Sequence, residues 1–271
     1  MNTTNYRDFS IYLVKEAGEK LKKTRNKKIE VSFKGEDTKD LITKVDIEIN
    51  DFFVSEINKT FPEHQIYSEE EKFLDSVKKN QYEWALDPID GTSNFSRNIP
   101  HFSTCVGLLY EEVPIAGAVY NPITNELFSF EKGKGSFLND LPIRVSDVNK
   151  AIDAYAIFRI GHKEPLFKWG EKAQISFLAS MKKVSNFGSS ALDLCFLAAG
   201  RVDAVIYGTF TTRDVAAAIG ILREAGGEIY TPAGQPAPLS KKRQTIIAAA
   251  NRKLFEEIQP LSYLELLPPS L

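Results

Sequence analysis

From residue 102 to residue 145 the chain reads as strands and turns. Apolar runs at 105–110, 115–120 and 126–130 are separated by Glu-Glu-Val-Pro and Asn-Pro-Ile-Thr-Asn. Turn residues at that spacing predict an antiparallel meander. On either side the rhythm differs. Phe9, Leu13, Val14, Ala17 and Leu21 stand at helical spacing within residues 6–24. Ile29, Val31 and Phe33 alternate as in a strand, whereas Val45, Ile49, Phe52, Phe53 and Ile57 return to helical spacing, with Pro62 just beyond. Two short apolar stretches, 65–67 and 82–86, each run straight into acidic residues.

After about residue 150, strands and helices alternate. Strands are expected at 154–160, 184–187, 204–207, 228–230 and 245–250. Helices are expected at 164–181, at 190–199 closed by Gly200, at 215–225 stopped by Gly226-Gly227, and at 251–258. Two closely packed α/β halves follow, residues 1–145 and 146–271. The stretch Gly133-Lys134-Gly135-Ser136-Phe137-Leu138 touches the dinucleotide fingerprint. It lacks the third glycine, the preceding parallel strand and the following helix, so it reads as a turn entering another strand.

Charge narrows the function. Lys and Arg number 34 against 36 Asp and Glu, for a net −2, so no overall field draws the chain to a phosphate backbone, and no nucleic-acid partner is expected. Cys105 and Cys195 lie in apolar surroundings without Cys or His at metal spacing, which predicts buried reduced thiols. The N-terminus lacks the apolar core of a signal peptide, and no apolar run approaches the ~18 residues that span a bilayer. A soluble, cytoplasmic protein with no membrane partner is expected.

The chemistry concentrates in Trp84-Ala85-Leu86-Asp87-Pro88-Ile89-Asp90-Gly91-Thr92-Ser93-Asn94-Phe95. An apolar strand delivers Asp87, Pro88 forces a turn, and Gly91 permits an unusual backbone conformation. Two carboxylates three residues apart in such a turn can converge on a hard divalent cation, with the Ile89 carbonyl between them. Beyond Gly91, the amides of a starting helix could hold a phosphate. The other reading is an Asp-Gly turn with an N-capping Asp. Three further acidic groups each carry two readings. Glu69-Glu70-Glu71 is either a solvated charge run or a set of carboxylates at a strand end, 18 residues before Asp87. Thr43 and Asp46 stand at capping-box spacing, so Asp46 is a cap or a reactive group. Asp214, after Thr212-Arg213, is a helix cap or a ligand at the end of a loop.

Together these residues resemble a known family. Asp87-Pro88-Ile89-Asp90-Gly91-Thr92 resembles the first signature of the inositol monophosphatase family, and residues 214–227 resemble its second. Residues 40–46, Glu69-Glu70 and Gly188-Ser189-Ser190-Ala191 match in the expected order, so the resemblance spans roughly residues 6–258. It implies a layered αβαβα sandwich of the inositol monophosphatase and fructose-1,6-bisphosphatase type, usually dimeric and often inhibited by lithium. It implies a phosphatase for a small phosphorylated alcohol or sugar. Glu69, Asp87 and the Ile89 carbonyl would hold one magnesium; Asp87, Asp90 and Asp214 would hold a second. Glu69, with Glu70, would reach a third through water, and manganese could substitute. Asp46 and Thr92 would orient and deprotonate the attacking water. The amides of Gly91 and Thr92, with Ser93, would cradle the phosphate, while Gly188, Ser189, Ser190 and Asp214 would contact the alcohol. Two metals about ~4 Å apart can stabilise both the attacking and the leaving oxygen, so no covalent intermediate is expected.

The match departs from the inositol-cleaving members at two places. They carry a glutamate where this chain has Tyr207, and a tryptophan where it has Arg213. Arg213 could contact a second phosphate, or it could be a surface residue at a helix entrance. Fructose bisphosphate, NADP and adenosine bisphosphate therefore stand beside inositol phosphate as candidate substrates. Other readings are a haloacid-dehalogenase-type phosphatase, whose Asp-x-Asp-Gly-Thr differs from the Asp-x-x-Asp-Gly-Thr found here, and a non-catalytic regulator on a phosphatase scaffold.

Overall fold

Helix α1 (Tyr6–Thr24) buries Phe9, Leu13, Val14, Ala17 and Leu21, the stripe that its apolar spacing defines. Strands β1 (Val31–Phe33) and β2 (Leu41–Thr43) form an antiparallel pair. Then come α2 (Lys44–Thr60), β3 (Gln65–Ser68), β4 (Tyr82–Asp90) and the short α3 (Thr92–Ser96). The meander is β5 (Ser103–Tyr110), β6 (Val113–Asn121), β7 (Glu126–Glu131), β8 (Gly135–Leu138) and β9 (Leu141–Ile143). The alternating part is β10 (Tyr155–Arg159), α4 (Leu166–Ser180), β11 (Lys183–Ser185), α5 (Ser190–Ala198), β12 (Ala204–Thr211), α6 (Ala216–Glu224), β13 (Glu228–Tyr230), β14 (Arg243–Ala249) and α7 (Arg252–Ile258). This computed structural model describes residues 5–24, 31–33, 41–68, 81–160 and 166–262. The expectations for Ile29 and for Glu69, Glu70 and Glu71 fall outside them. Mixed sheets flanked by helices place the chain in the expected α/β sandwich class.

The chain divides into two compact units. One comprises Met1–Pro142, Gly188–Leu192 and Asp214–Ile221; the other comprises Ile143–Phe187, Asp193–Arg213 and Leu222–Leu271. Asp214 thus belongs with the N-terminal strands although it lies far along the chain.

In the first unit the sheet order is β3-β4-β5-β6-β7-β8-β9, with β3 parallel to β4 and successive pairs from β4 to β8 antiparallel. One face carries Trp84, Leu86, Val106, Leu108, Ala118 and Tyr120, which cluster with the buried stripes of α1 and α2. The opposite face is built around one cross-strand row. Tyr67, Ala85, Gly107, Gly117, Phe130 and Ser136 are successive partners from β3 to β8, and directly paired residues point to the same face. The start of α6 lies on this row. A Cβ on Gly107 would fall 2.8 Å from the Ala217 backbone nitrogen, and one on Gly117 3.1 Å from the Ala217 Cβ. A Cβ on Gly220 would overlap the Phe130 ring. Ser136 Oγ donates to the Ile221 carbonyl at 2.6 Å. Small residues on both sides let the helix approach far closer than side chains would allow.

In the second unit β10, β11 and β12 are parallel, and β14 and β13 complete the order β11-β10-β12-β14-β13 antiparallel. Parallel neighbours require crossovers, which α4 and α5 supply. Gly200 and Gly226 end α5 and α6 at φ 67° and 92°, as the sequence predicts. β12 outruns the expected end at Tyr207, continuing to Thr211 across a bulge between Tyr207 and Phe210. Both cysteines are buried thiols.

The β5–β6 turn is tight. Tyr110 pairs with Val113, leaving Glu111 and Glu112 as a two-residue loop with φ 47° and 64°. That is the geometry for which Asn-Gly is preferred. Glu111→Asn with Glu112→Gly should raise stability by about 1 kcal/mol by removing two left-handed glutamates; urea unfolding checks this. Gly107→Ala should cost about 1–3 kcal/mol, because the Ala217 backbone cannot yield as a side-chain tip would; the same denaturation midpoint reads it.

Candidate active site

An ideal strand would send residues 87 and 90 to opposite faces. The register of β4 on β5 prevents that. Asp87 pairs with Cys105 and Asp90 with Ser103, so β4 fits one residue more than β5 into the interval. This bulge at Pro88-Ile89 returns Asp90 to the face of Asp87. Pro88 has no N–H to offer the ladder and is tolerated in such a place. The face they share is the one on which α6 rests. Both carboxylates are nearly buried, at 3% and 7% exposure.

Asp90 ties the strand end to α5. Its Oδ1 accepts the Ser190 N–H at 3.0 Å, and its Oδ2 accepts the Ala191 N–H at 2.9 Å and the Ser189 hydroxyl. Ser103 Oγ stands 3.5 Å from Oδ2. A carboxylate at the positive end of a helix is stabilised there. Gly91 follows with φ 91°; a Cβ there would lie 3.2 Å from the Gly188 carbonyl oxygen and 3.3 Å from Ser189 Cβ. The signature turn and the 188–190 segment therefore touch at a position only glycine can fill. Thr92 and Ser93 open α3, whose first backbone acceptor is the Gly91 carbonyl. Thr92 Oγ1 donates to the Ile89 carbonyl at 2.9 Å, and Asn94 Nδ2 donates to the His101 carbonyl at 2.7 Å.

Asp46 completes a capping box on α2. Thr43 Oγ1 accepts the Asp46 N–H, and Asp46 Oδ2 accepts the Thr43 N–H at 2.8 Å and its hydroxyl at 2.5 Å. The capping role read from the spacing is therefore real. The first helical acceptor of α6 is the carbonyl of Val215, one residue after Asp214. Asp214 stands ahead of the helix, where its Oδ1 accepts the Tyr67 hydroxyl at 2.9 Å. Tyr67 was not singled out by sequence; it stood only as the end of the short apolar stretch 65–67.

Asp87, Asp90 and Asp214, with the Ile89 carbonyl, offer oxygen donors of the kind that a hard divalent cation such as magnesium takes. Among the described residues, no three His, Cys, Asp or Glu side chains by themselves form a cluster that could hold a metal ion. The expected fourth acid, Glu69, and its neighbour Glu70 lie outside the described residues.

Within the second unit, Tyr207 requires a correction. It is fully buried, and its hydroxyl donates to Asp193 Oδ2 at 2.5 Å. The Arg159 guanidinium lies 4.4 Å from the Tyr207 ring centroid. A side chain enclosed in this way offers a substrate no surface, so Tyr207 is a structural tie here. Arg213 is 5% exposed and its N–H donates to the Ser240 carbonyl at 3.2 Å, which removes the reading of it as a surface residue. Asp193, in the first turn of α5, escaped the sequence reading because an acid there looks like ordinary helix chemistry.

The comparisons with known proteins agree with this geometry. The model of the Inositol monophosphatase family matches residues 2–263. The chain is 34% identical over 252 residues to an inositol monophosphatase 3 from Solanum lycopersicum, covering 91% of this chain and 92% of the relative. It is 31% identical over 262 residues to a Nus factor SuhB from Pasteurella multocida, covering 93% and 95%. Among solved structures, the extragenic suppressor protein suhB from Bartonella henselae superposes with a TM-score of 0.87 at 29% identity, over 95% of this chain and 98% of that one. Sequence match and fold together show that this chain belongs to the inositol monophosphatase family, a family of phosphatases.

Proposed function

We propose that the protein is a magnesium-dependent phosphomonoesterase that hydrolyses a small phosphorylated alcohol or sugar of the inositol phosphate kind. The observation that carries this reading is the β4 bulge, which sets Asp87 and Asp90 on one buried face, the face that α6 and Asp214 adjoin. Asp87, Asp90, Asp214 and the Ile89 carbonyl, with Glu69, would hold the magnesium, and manganese could replace it. When bound, such cations neutralise phosphate oxygens and make a water acidic enough to attack.

The chain's own groups supply the rest. The Gly91, Thr92 and Ser93 amides precede Asn94, the first amide that donates into the α3 turn, and would donate to the phosphate oxygens. Thr92 would pass the proton of the attacking water toward Asp46, general-base help of about 10²–10⁴-fold. Water oxygen bonds to phosphorus, the ester P–O bond breaks, and the leaving alkoxide takes a proton to become the alcohol. Gly188, Ser189 and Ser190 would face that alcohol, since they adjoin Gly91 and Asp90. Asp90 therefore bridges the phosphate side and the alcohol side of the reaction. Inhibition by lithium, a cytoplasmic location and a homodimer go with the reading, and light scattering on the purified chain tests the dimer.

The decisive experiment is phosphate release with magnesium across inositol phosphates, fructose 1,6-bisphosphate, NADP and 3′-phosphoadenosine 5′-phosphate. Turnover of an inositol phosphate or sugar phosphate is expected; no release from any of them would overturn the reading. Asp90→Asn should lower turnover by about 10²–10³-fold or more, the loss of several kcal/mol of charge stabilisation, while cooperative unfolding persists. Retained activity would remove the metal role. Tyr207→Phe should cost about 1–2 kcal/mol of stability through the orphaned Asp193, with KM for the substrate unchanged. A raised KM would restore Tyr207 to the substrate site.

A further inference from the structure

Asp214 stands ahead of α6, whose first helical acceptor is the Val215 carbonyl. Tyr67 reaches the Asp214 carboxylate, donating its hydroxyl to Oδ1 at 2.9 Å. The strand that presents this phenol is anchored. Its neighbour Ser68, on the other face, is buried and donates to Asn50 Oδ1 on α2 at 2.6 Å. Tyr67 pairs with Ala85 at the head of the row on which α6 lies, two residues before Asp87 on the same face of β4. The Asp214 backbone is fixed from behind by Gly107, Gly117 and Phe130 against Ala217 and Gly220. A neutral donor on one carboxylate oxygen leaves the charge intact.

We propose that Tyr67 is a positioning residue for divalent-cation binding, its hydroxyl holding the Asp214 carboxylate in the orientation a magnesium ion requires. This rests on the phosphatase reading above, in which Asp214 is a ligand. Groups that orient a ligand from behind typically contribute about 10–100-fold to metal affinity.

The test titrates magnesium alone into the full chain by calorimetry, without substrate. Tyr67→Phe, which deletes only the hydroxyl, should raise the magnesium dissociation constant about tenfold. In the steady state, the magnesium activation constant should rise by the same factor while kcat at saturating magnesium is retained. Tyr67→His, which keeps a donor, should recover part of the affinity that Tyr67→Leu loses. Asp214→Asn is the reference. If it binds magnesium like the wild type, the ligand reading fails, and this inference with it. If Asp214→Asn loses binding and Tyr67→Phe does not, the inference alone is overturned. A Tyr67→Phe effect of equal size in an Asp214→Asn background also overturns it, because the hydroxyl then acts elsewhere. Should Tyr67→Phe fail to fold, equal magnesium affinities of the His and Leu variants overturn the proposal.

Discussion

Everything at the candidate site depends on how closely helix α6 approaches the sheet. Gly107 and Gly117 face each other across β5 and β6, and the Ala217 backbone fills the space where their side chains would be. Glycine in a strand interior costs about 0.5–1 kcal/mol relative to alanine. Here the cost secures a placement. With the helix held at backbone distance, Gly220 can lie against the Phe130 ring and the Ile221 carbonyl can take the Ser136 hydroxyl. The start of the helix is then fixed over β3 to β5, and Asp214 meets Tyr67. A chain position more than a hundred residues from the first signature becomes its neighbour through packing of small residues.

The carboxylates at the centre of the candidate site have structural duties. Asp90 accepts two α5 amides and a serine hydroxyl, and Asp46 closes a capping box. A carboxylate offers about four lone-pair sites, and these bonds occupy several of them. They also restrict the side chain to one rotamer, which is the condition for an organised site. Cap and catalyst were opposed readings of the sequence for Asp46; the geometry gives the cap and leaves the chemistry compatible with it.

Much of this was legible in the sequence, for identifiable reasons. The α1 and α2 stripes, the meander and the Thr43–Asp46 box are local patterns, and each formed where its spacing placed it. The acid pair at 87 and 90 was visible, but its convergence was not. It comes from a register shift against β5, which only the pairing of two strands can define. Tyr67 was hidden for the same reason, since its partner lies 147 residues away. Arg213 read as either surface or substrate contact because burial at a helix entrance is decided by what packs over it. The Glu111–Glu112 turn was placed correctly, but its left-handed geometry contradicts the preference of glutamate; strand pairing on both sides imposed it.

In the second unit, position 207 departs from the family pattern. Where the resemblance implies a glutamate in inositol-cleaving members, this chain has a tyrosine whose hydroxyl donates to Asp193. An anion is therefore kept but moved one layer back, and Asp193 is only 1% exposed. A carboxylate at that depth cannot accept hydrogen bonds from a polyol. The Arg159 guanidinium lies over the same ring, on the partner residue of Tyr207 along parallel strands β10 and β12. A site built to accept a substrate's hydroxyls rejects analogues that lack them, because its buried acceptors are left unpaired. Here the acceptor at this position is already satisfied within the protein. Under the proposed reading this position would contribute little to selection among alcohols, and the 188–190 segment, which touches Gly91 and Asp90, would be left to carry it.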